Sequence, residues 1–176
     1  MKKIAIIVDM QNDFISGSLG TAEAQEIFPK VRDFLAAIDE DTYVIFTRDT
    51  HDTDYLNTPE GQKLPVEHCI RNTWGWEIPQ ELTAPFCNRP VTVDKPTFGS
   101  TVLMDYIADL AENEDEVEIA FCGLCTDICV VSNVLMTKAY FPNYTIIVYE
   151  DMCAGVTPAT HKMALETMKM CQIDIR

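Results

Sequence analysis

The chain has 176 residues and carries 28 acidic against 13 basic side chains, a formal net charge of −15 at pH 7. That length suits one domain, residues 1–176, with a sizeable core. The charge argues against nucleic acid and anionic membrane as partners, because both are held by clustered Lys and Arg.

The first apolar run, residues 4–8, ends at Asp9 and has the length of a buried strand. It is too short for the core of a signal peptide, and no later stretch reaches the length of a membrane span. Helical period follows in Ile27, Val31, Phe34, Leu35 and Ile38, and then a second strand-like run at 43–46. Residues 48–90 interrupt the alternation with Pro, Gly, both Trp residues and two of the three histidines; so long a segment with little secondary structure of its own is usually functional. A strand is predicted at 91–93, and a helix carries Val102, Leu103, Tyr106, Ile107 and Leu110. The acidic run from 112 to 118 reads as a solvated helix end and loop. Strands at 117–121 and 145–149 bracket a helix after Cys129, another helix starts at Thr157-Pro158, and 173–175 forms a last short strand. Alternating strands and helices predict a three-layer α/β/α fold with a central, mostly parallel sheet.

The seven cysteines are odd in number and irregular in spacing, so no disulfide framework is expected. The chain reads as cytoplasmic with reduced thiols, and most of Cys69, Cys87, Cys122, Cys153 and Cys171 as small core residues.

In such folds ligands bind beyond the carboxyl ends of the strands. Asp9, Asp49 and Lys95 fall at successive strand ends, and Gly123-Leu124-Cys125-Thr126-Asp127-Ile128-Cys129-Val130 reads as strand, tight turn and helix start. A helix N-terminus lowers a thiol pKa and holds an oxyanion, so this run is where a cysteine nucleophile belongs. Spacing alone leaves Cys125 and Cys129 both open. A second constellation, Asp49-x-His51, Glu60 and His68, offers imidazoles and carboxylates for Zn²⁺, or for Fe²⁺ or Mn²⁺ with more waters. The alternative is a polar loop held by turn hydrogen bonds.

Asp9-Met10-Gln11-Asn12-Asp13-Phe14, then Lys95, then Gly123-x-x-Thr126-Asp127-x-Cys129-Val130 resembles the isochorismatase-like cysteine hydrolase superfamily, nearest to the nicotinamidase/pyrazinamidase type. These motifs span most of the chain in family order. The resemblance implies a triad in which Asp9 takes the thiol proton, Lys95 holds the carboxylate and favours the thiolate, and Cys129 attacks a carbonyl carbon to give a thioester. It also implies an oxyanion hole from the backbone N–H groups of Cys125 and Cys129, a cis peptide between Leu124 and Cys125, and substrate contacts from Phe14 and Leu124. Asp49, His51 and His68 match the metal ligands of nicotinamidases, with Glu60 as the fourth and Asp54 or Glu67 as its alternatives. Zinc is the expected metal, iron or manganese the others. The implied reaction is hydrolysis of a small-molecule amide, nicotinamide to nicotinate and ammonia, with another small amide or a ureido acid as the second choice.

One departure concerns the substrate wall. Many nicotinamidases place an aromatic residue just before the last metal His, whereas Lys63-Leu64-Pro65-Val66-Glu67 contains none. Phe14 could form one wall; Trp74 and Trp76 read as core or subunit contacts. The family often forms dimers or tetramers, so a homo-oligomer is expected. Two other functional classes compete: a thiol–disulfide protein built on Cys122-x-x-Cys125, and a catalytically silent binding member of the superfamily. His161 reads as a surface residue of the last helix, Asn143-Tyr144-Thr145 as an unused sequon, and Met163, Met168 and Met170 as core filler or an oligomer contact.

Overall fold

The computed structural model describes residues 1–86, 90–112 and 114–176; Cys87 lies outside them. In chain order the elements are β1 (Lys2–Val8), α1 (Asn12–Ile15), α2 (Ala22–Ala37), β2 (Tyr43–Asp49), α3 (Pro59–Lys63), α4 (Gln80–Thr83), β3 (Val91–Lys95), α5 (Thr101–Ala111), β4 (Val117–Leu124), α6 (Val131–Tyr140), β5 (Thr145–Ala154), α7 (Pro158–Met170) and β6 (Asp174–Ile175). Short 3₁₀ turns occupy Tyr55–Asn57 and Trp74–Trp76, and a π-helical turn, Thr126–Val130, leads into α6.

All six strands pair in parallel, in the order β3-β2-β1-β4-β5-β6. The central strands are apolar on both faces, as burial beneath helices demands. Ile4, Ile6, Ile7 and Val8 of β1, with Ile119 and Phe121 of β4, have at most 1% of their surface exposed. Right-handed crossovers put the β1–β2 and β2–β3 connections on one face and the returning connections on the other. Helix α2 packs on β4 and β5 with α1 and α4 beside it; α5, α6 and α7 pack side by side. The helices begin where side chains satisfy free N–H groups: Thr21 accepts from Ala24, Ser100 from Leu103, and Thr157 and Thr160 form a capping box ahead of α7.

The strand order reverses direction between β1 and β4, which opens a crevice at their carboxyl ends. There Val8 lies beside Gly123, whose φ is +120°. A Cβ at Gly123 would run into the Val8 carbonyl oxygen and occupy a φ that L side chains rarely adopt. Gly123→Ala is therefore expected to lower unfolding free energy by about 3 kcal/mol or more, read from denaturant midpoints.

Some expectations change. β5 runs on through Glu150 and Asp151 to Ala154; β6 pairs it only at Ile147 and Val148, leaving both acids exposed. The segment after Asp49 contains α3, α4, two 3₁₀ turns and a bridge from His51 to Ile70. Cys69, Cys122 and Cys153 are buried, but Cys171 is exposed past the end of α7. Of the three methionines only Met168 is core; Met163 and Met170 face solvent. No helix among the described residues is long and apolar enough to cross a membrane.

Candidate active site

Asp9 follows β1 with φ at 45° and is fully buried. Its Oδ1 accepts from the Thr47 hydroxyl at 2.6 Å, while its own N–H donates to the same Thr47 oxygen at 3.2 Å. Oδ2 lies 2.6 Å from Lys95 Nζ, a fully buried ion pair. Lys95, the last residue of β3, is also fully buried. Its ammonium donates to the Thr97 carbonyl at 3.2 Å, to Asp49 Oδ1 at 3.4 Å and to Cys129 Sγ at 3.4 Å. One cation therefore touches two carboxylates and a thiol.

Burial raises the Asp9 carboxyl against the pull of Lys95. Burial works to lower Lys95, but the charges of Asp9, Cys129 and Asp49 outweigh it and the ammonium is held. The Cys129 thiol is pushed well up, first by burial and then by the Asp9 charge. Cys129 lies within the π-helical turn rather than on a regular first helical turn. The N–H groups of Ile128 and Val130 both donate to the Cys125 carbonyl, straddling it. The peptide between Leu124 and Cys125 is cis, and the Cys125 N–H donates to no acceptor among the described residues.

Beside this trio, Asp49 Oδ2 lies 3.1 Å from His51 Nε2 and 3.5 Å from His68 Nε2, and Glu60 Oε1 is 3.8 and 3.9 Å from the same nitrogens. One donor atom from each of the four residues lies within 4.8 Å of the others. The His68 Nδ1–H donates to the Val66 carbonyl at 2.8 Å, which turns the Nε2 lone pair toward the group. Burial opposes a charge on Asp49, but the neighbouring His51 and His68 side chains and the charge of Lys95 hold its carboxyl well below the usual range. Burial and then the Asp49 charge push Glu60 up. Two carboxylates and two imidazole nitrogens so close together fit a divalent metal; Asp54 and Glu67 are not members of this group.

The cavity above has a volume of about 570 Å³, and its lining includes Phe14, Glu60, His68, Phe98, Ile128 and Cys129. The Phe14 ring lies 5.6 Å from that of His68. Leu124 does not line the cavity: its side chain is buried in the core at the end of β4, and Ile128 supplies apolar wall instead. Trp74 is exposed. Trp76 sits under the Arg48 guanidinium, 3.5 Å away, and donates its indole N–H to Thr50, so it braces the metal loop. The Cys122-x-x-Cys125 pair is divided, since Cys122 is buried within β4 while Cys125 borders the cavity with its thiol pushed up to about 12 by burial; a reactive dithiol needs the opposite shift.

Several supporting residues escaped sequence reasoning. Gln11, fully buried, donates to the carbonyls of Asp49 and Trp76 at 2.9 Å and accepts the Asp49 N–H at 2.8 Å, so it fixes the backbone that carries the shared carboxylate. Tyr55 packs its ring 4.6 and 5.0 Å from those of His51 and His68. Asn133 bonds to Phe98, Ser100 and Cys129, joining the two walls of the cleft. His161 is half-buried, not a free surface residue, and its Nδ1 lies 2.8 Å from the Thr126 hydroxyl.

Comparison with known proteins shows what this chain is similar to. The model of the isochorismatase domain matches residues 3–175. The nicotinamidase/pyrazinamidase of Mycobacterium tuberculosis is 28% identical over 191 residues, covering 97% of this chain and 96% of that protein. The crystal structure of the nicotinamidase/pyrazinamidase from Bacillus subtilis superposes with a TM-score of 0.83 at 26% identity, over 99% of each chain. That of the Pyrococcus horikoshii pyrazinamidase in complex with zinc does so with a TM-score of 0.83 at 26% identity, over 100% of this chain and 99% of that one. With the family model spanning nearly every residue and the same fold recurring in these relatives, the chain belongs to the isochorismatase family.

Proposed function

We propose that this chain is a cysteine-dependent amidohydrolase that cleaves the C–N bond of nicotinamide to give nicotinate and ammonia. The observation that carries the reading is the buried Lys95 ammonium set between Asp9 and the Cys129 sulfur at the floor of the cavity. At rest Asp9 is a carboxylate, Lys95 an ammonium and Cys129 a neutral thiol. As Sγ attacks the amide carbon, the Asp9 carboxylate takes the thiol proton, and Lys95 balances the charge growing on sulfur. The backbone N–H groups of Cys125 and Cys129 hold the oxyanion of the tetrahedral adduct. Asp9 then returns the proton to the nitrogen, and ammonia leaves a thioester on Cys129. Water, deprotonated by Asp9, adds to that thioester; the adduct expels Cys129 as thiolate, Asp9 returns the proton to the sulfur, and the acid product ionises to nicotinate.

Asp49, His51, Glu60 and His68 would hold a divalent metal, with zinc first. The name of the Pyrococcus relative supports zinc, and the two imidazole donors suit it. When bound, the ion supplies a Lewis-acid contact for the substrate's ring nitrogen, or for a water beside it. His51→Ala is expected to lose the bound metal by elemental analysis and to raise KM at least about tenfold. Full metal content and unchanged KM in that variant would remove this part of the proposal. Apolar side chains left exposed at Tyr140, Met163 and Met170 support assembly into a homo-oligomer; sedimentation at micromolar concentration tests it, and a monomer there would overturn it.

Ammonia release from nicotinamide, pyrazinamide, small aliphatic amides and ureido acids tests the substrate. The pyridine and pyrazine carboxamides should have the highest kcat/KM. A second reading, another small amide, rests on the missing aromatic residue before His68, and a preference for an aliphatic amide or ureido acid would favour it.

A further inference from the structure

The reaction proposed above depends on how the turn from Leu124 to Val130 is held, because that turn carries both Cys129 and the free Cys125 N–H. Two ties bind the turn to the connection between β5 and α7. The Asp127 carboxylate accepts the Val156 N–H, with both oxygens at 3.1 Å. The Thr126 side chain, fully buried, reaches His161 Nδ1 at 2.8 Å and has no other hydrogen-bonding side-chain partner among the described residues.

The His161 side of that contact is itself fixed. Thr157 and Thr160 cap the start of α7, Pro158 opens it, and the His161 N–H donates to the Thr157 carbonyl at 2.9 Å. Gly155 packs so closely that a Cβ there would lie 2.9–3.0 Å from His161 Cβ, Cα and N. The ring therefore projects from a pinned helical turn onto a buried hydroxyl, one residue past Cys125 and three before Cys129. An apolar residue at this position would fill the space, but it would leave the Thr126 hydroxyl buried without a partner. Whether the ring donates or accepts, the hydroxyl is held in the same place.

We propose that His161 is a positioning residue for amide hydrolysis: through Thr126 it sets the turn that presents the Cys125 N–H and the Cys129 sulfur to the substrate. His161 touches no reacting atom; it limits how far the oxyanion donor drifts from the sulfur. Its loss falls on the transition state, where the oxyanion forms, and not on ground-state binding at the metal loop. This inference rests on the amidase reading.

The test uses His161→Leu, His161→Asn, Thr126→Val and the Thr126→Val/His161→Leu double variant. Asparagine keeps a hydrogen-bonding atom where Nδ1 stands. Four readouts separate positioning from packing: kcat and KM for nicotinamide, inhibition by pyridine-3-carbaldehyde, the alkylation rate of Cys129 by iodoacetamide, and the thermal midpoint. The aldehyde adds reversibly to the Cys129 thiol, its carbonyl oxygen becoming the thiohemiacetal oxygen that occupies the oxyanion hole. His161→Leu should lower kcat about three- to tenfold with KM nearly unchanged, and weaken aldehyde inhibition by the same factor. His161→Asn should recover most of both, and the double variant should be no worse than the poorer single one. Alkylation needs no oxyanion hole and should stay near the parental rate.

Parental kcat and aldehyde affinity in His161→Leu would overturn the proposal. So would losses that follow the thermal midpoint, that asparagine fails to restore, or that add in the double variant. A parent protein that releases no ammonia from any amide would refute the amidase reading and this inference with it, whereas an active parent beside an equally active His161→Leu would refute the inference alone.

Discussion

Cys129→Ala is expected to lower kcat for ammonia release by at least about a thousandfold, whereas Cys125→Ala stays within about tenfold of the parent. The difference follows from how the turn places two residues of the same type. The Cys129 sulfur accepts a hydrogen bond from Lys95, and its thiol feels the Asp9 charge directly. In the proposed mechanism Cys125 contributes its backbone N–H, which alanine keeps. Both thiols border the same cavity, so access does not separate them. Quenching during turnover should show the acyl mass on the parent and on Cys125→Ala, and none on Cys129→Ala. Full turnover by Cys129→Ala with inactive Cys125→Ala would reverse the assignment.

Lys95→Met should be inactive and also unstable, by about 3–5 kcal/mol near pH 8, because it leaves buried charge without a counter-ion. Asp49 keeps His51 and His68, but Asp9 keeps only Thr47. In the variant burial raises the folded-state pKa of Asp9 with only the Thr47 hydrogen bond left to oppose it. Between the unfolded and folded values the native state binds more protons than the unfolded one, so stability falls as pH rises through that window. The deficit should therefore shrink when denaturant melts are repeated near pH 5. Adding Asp9→Asn to Lys95→Met should recover part of the stability at pH 8 while activity stays lost. A Lys95→Met protein with parental stability at both pH values would mean that Lys95 and Asp9 are not paired in the folded protein.

Asp9 and Lys95 are legible in sequence because each sits where an apolar run stops, and in a parallel sheet those stops share one edge. Cys129 lies five residues past the end of β4, in the π-helical turn, so spacing does not rank it above Cys125 and only the family resemblance does. Asp49, His51 and His68 are legible through residue type and spacing, and Glu60 is one of several acids that spacing alone does not rank. Gln11 and Thr47 are harder to read, because a buried polar residue in or beside a strand looks the same whether it braces a catalytic group or only itself. His161 is followed by two exposed residues, Lys162 and Met163, and its partner lies 35 positions earlier, so only the packing of α7 on the π-helical turn reveals the contact. Leu124 was misplaced for a related reason: at the last residue of a strand, one step in register separates the core from the cavity wall.

The sheet order has a further consequence, for vectorial synthesis. β1 leaves the ribosome before both β2 and β4, yet it sits between them, with Lys2 paired to Val117 and Val8 to Gly123. At about 5–20 residues per second, one edge of that very apolar strand waits on the order of ten seconds for its neighbour. Until then Asp9 and Cys129 are not brought together, and the exposed edge of β1 is open to pairing with other chains. Parallel pairings across such long stretches of chain close slowly, so hydrolytic activity should be among the last properties to return on refolding.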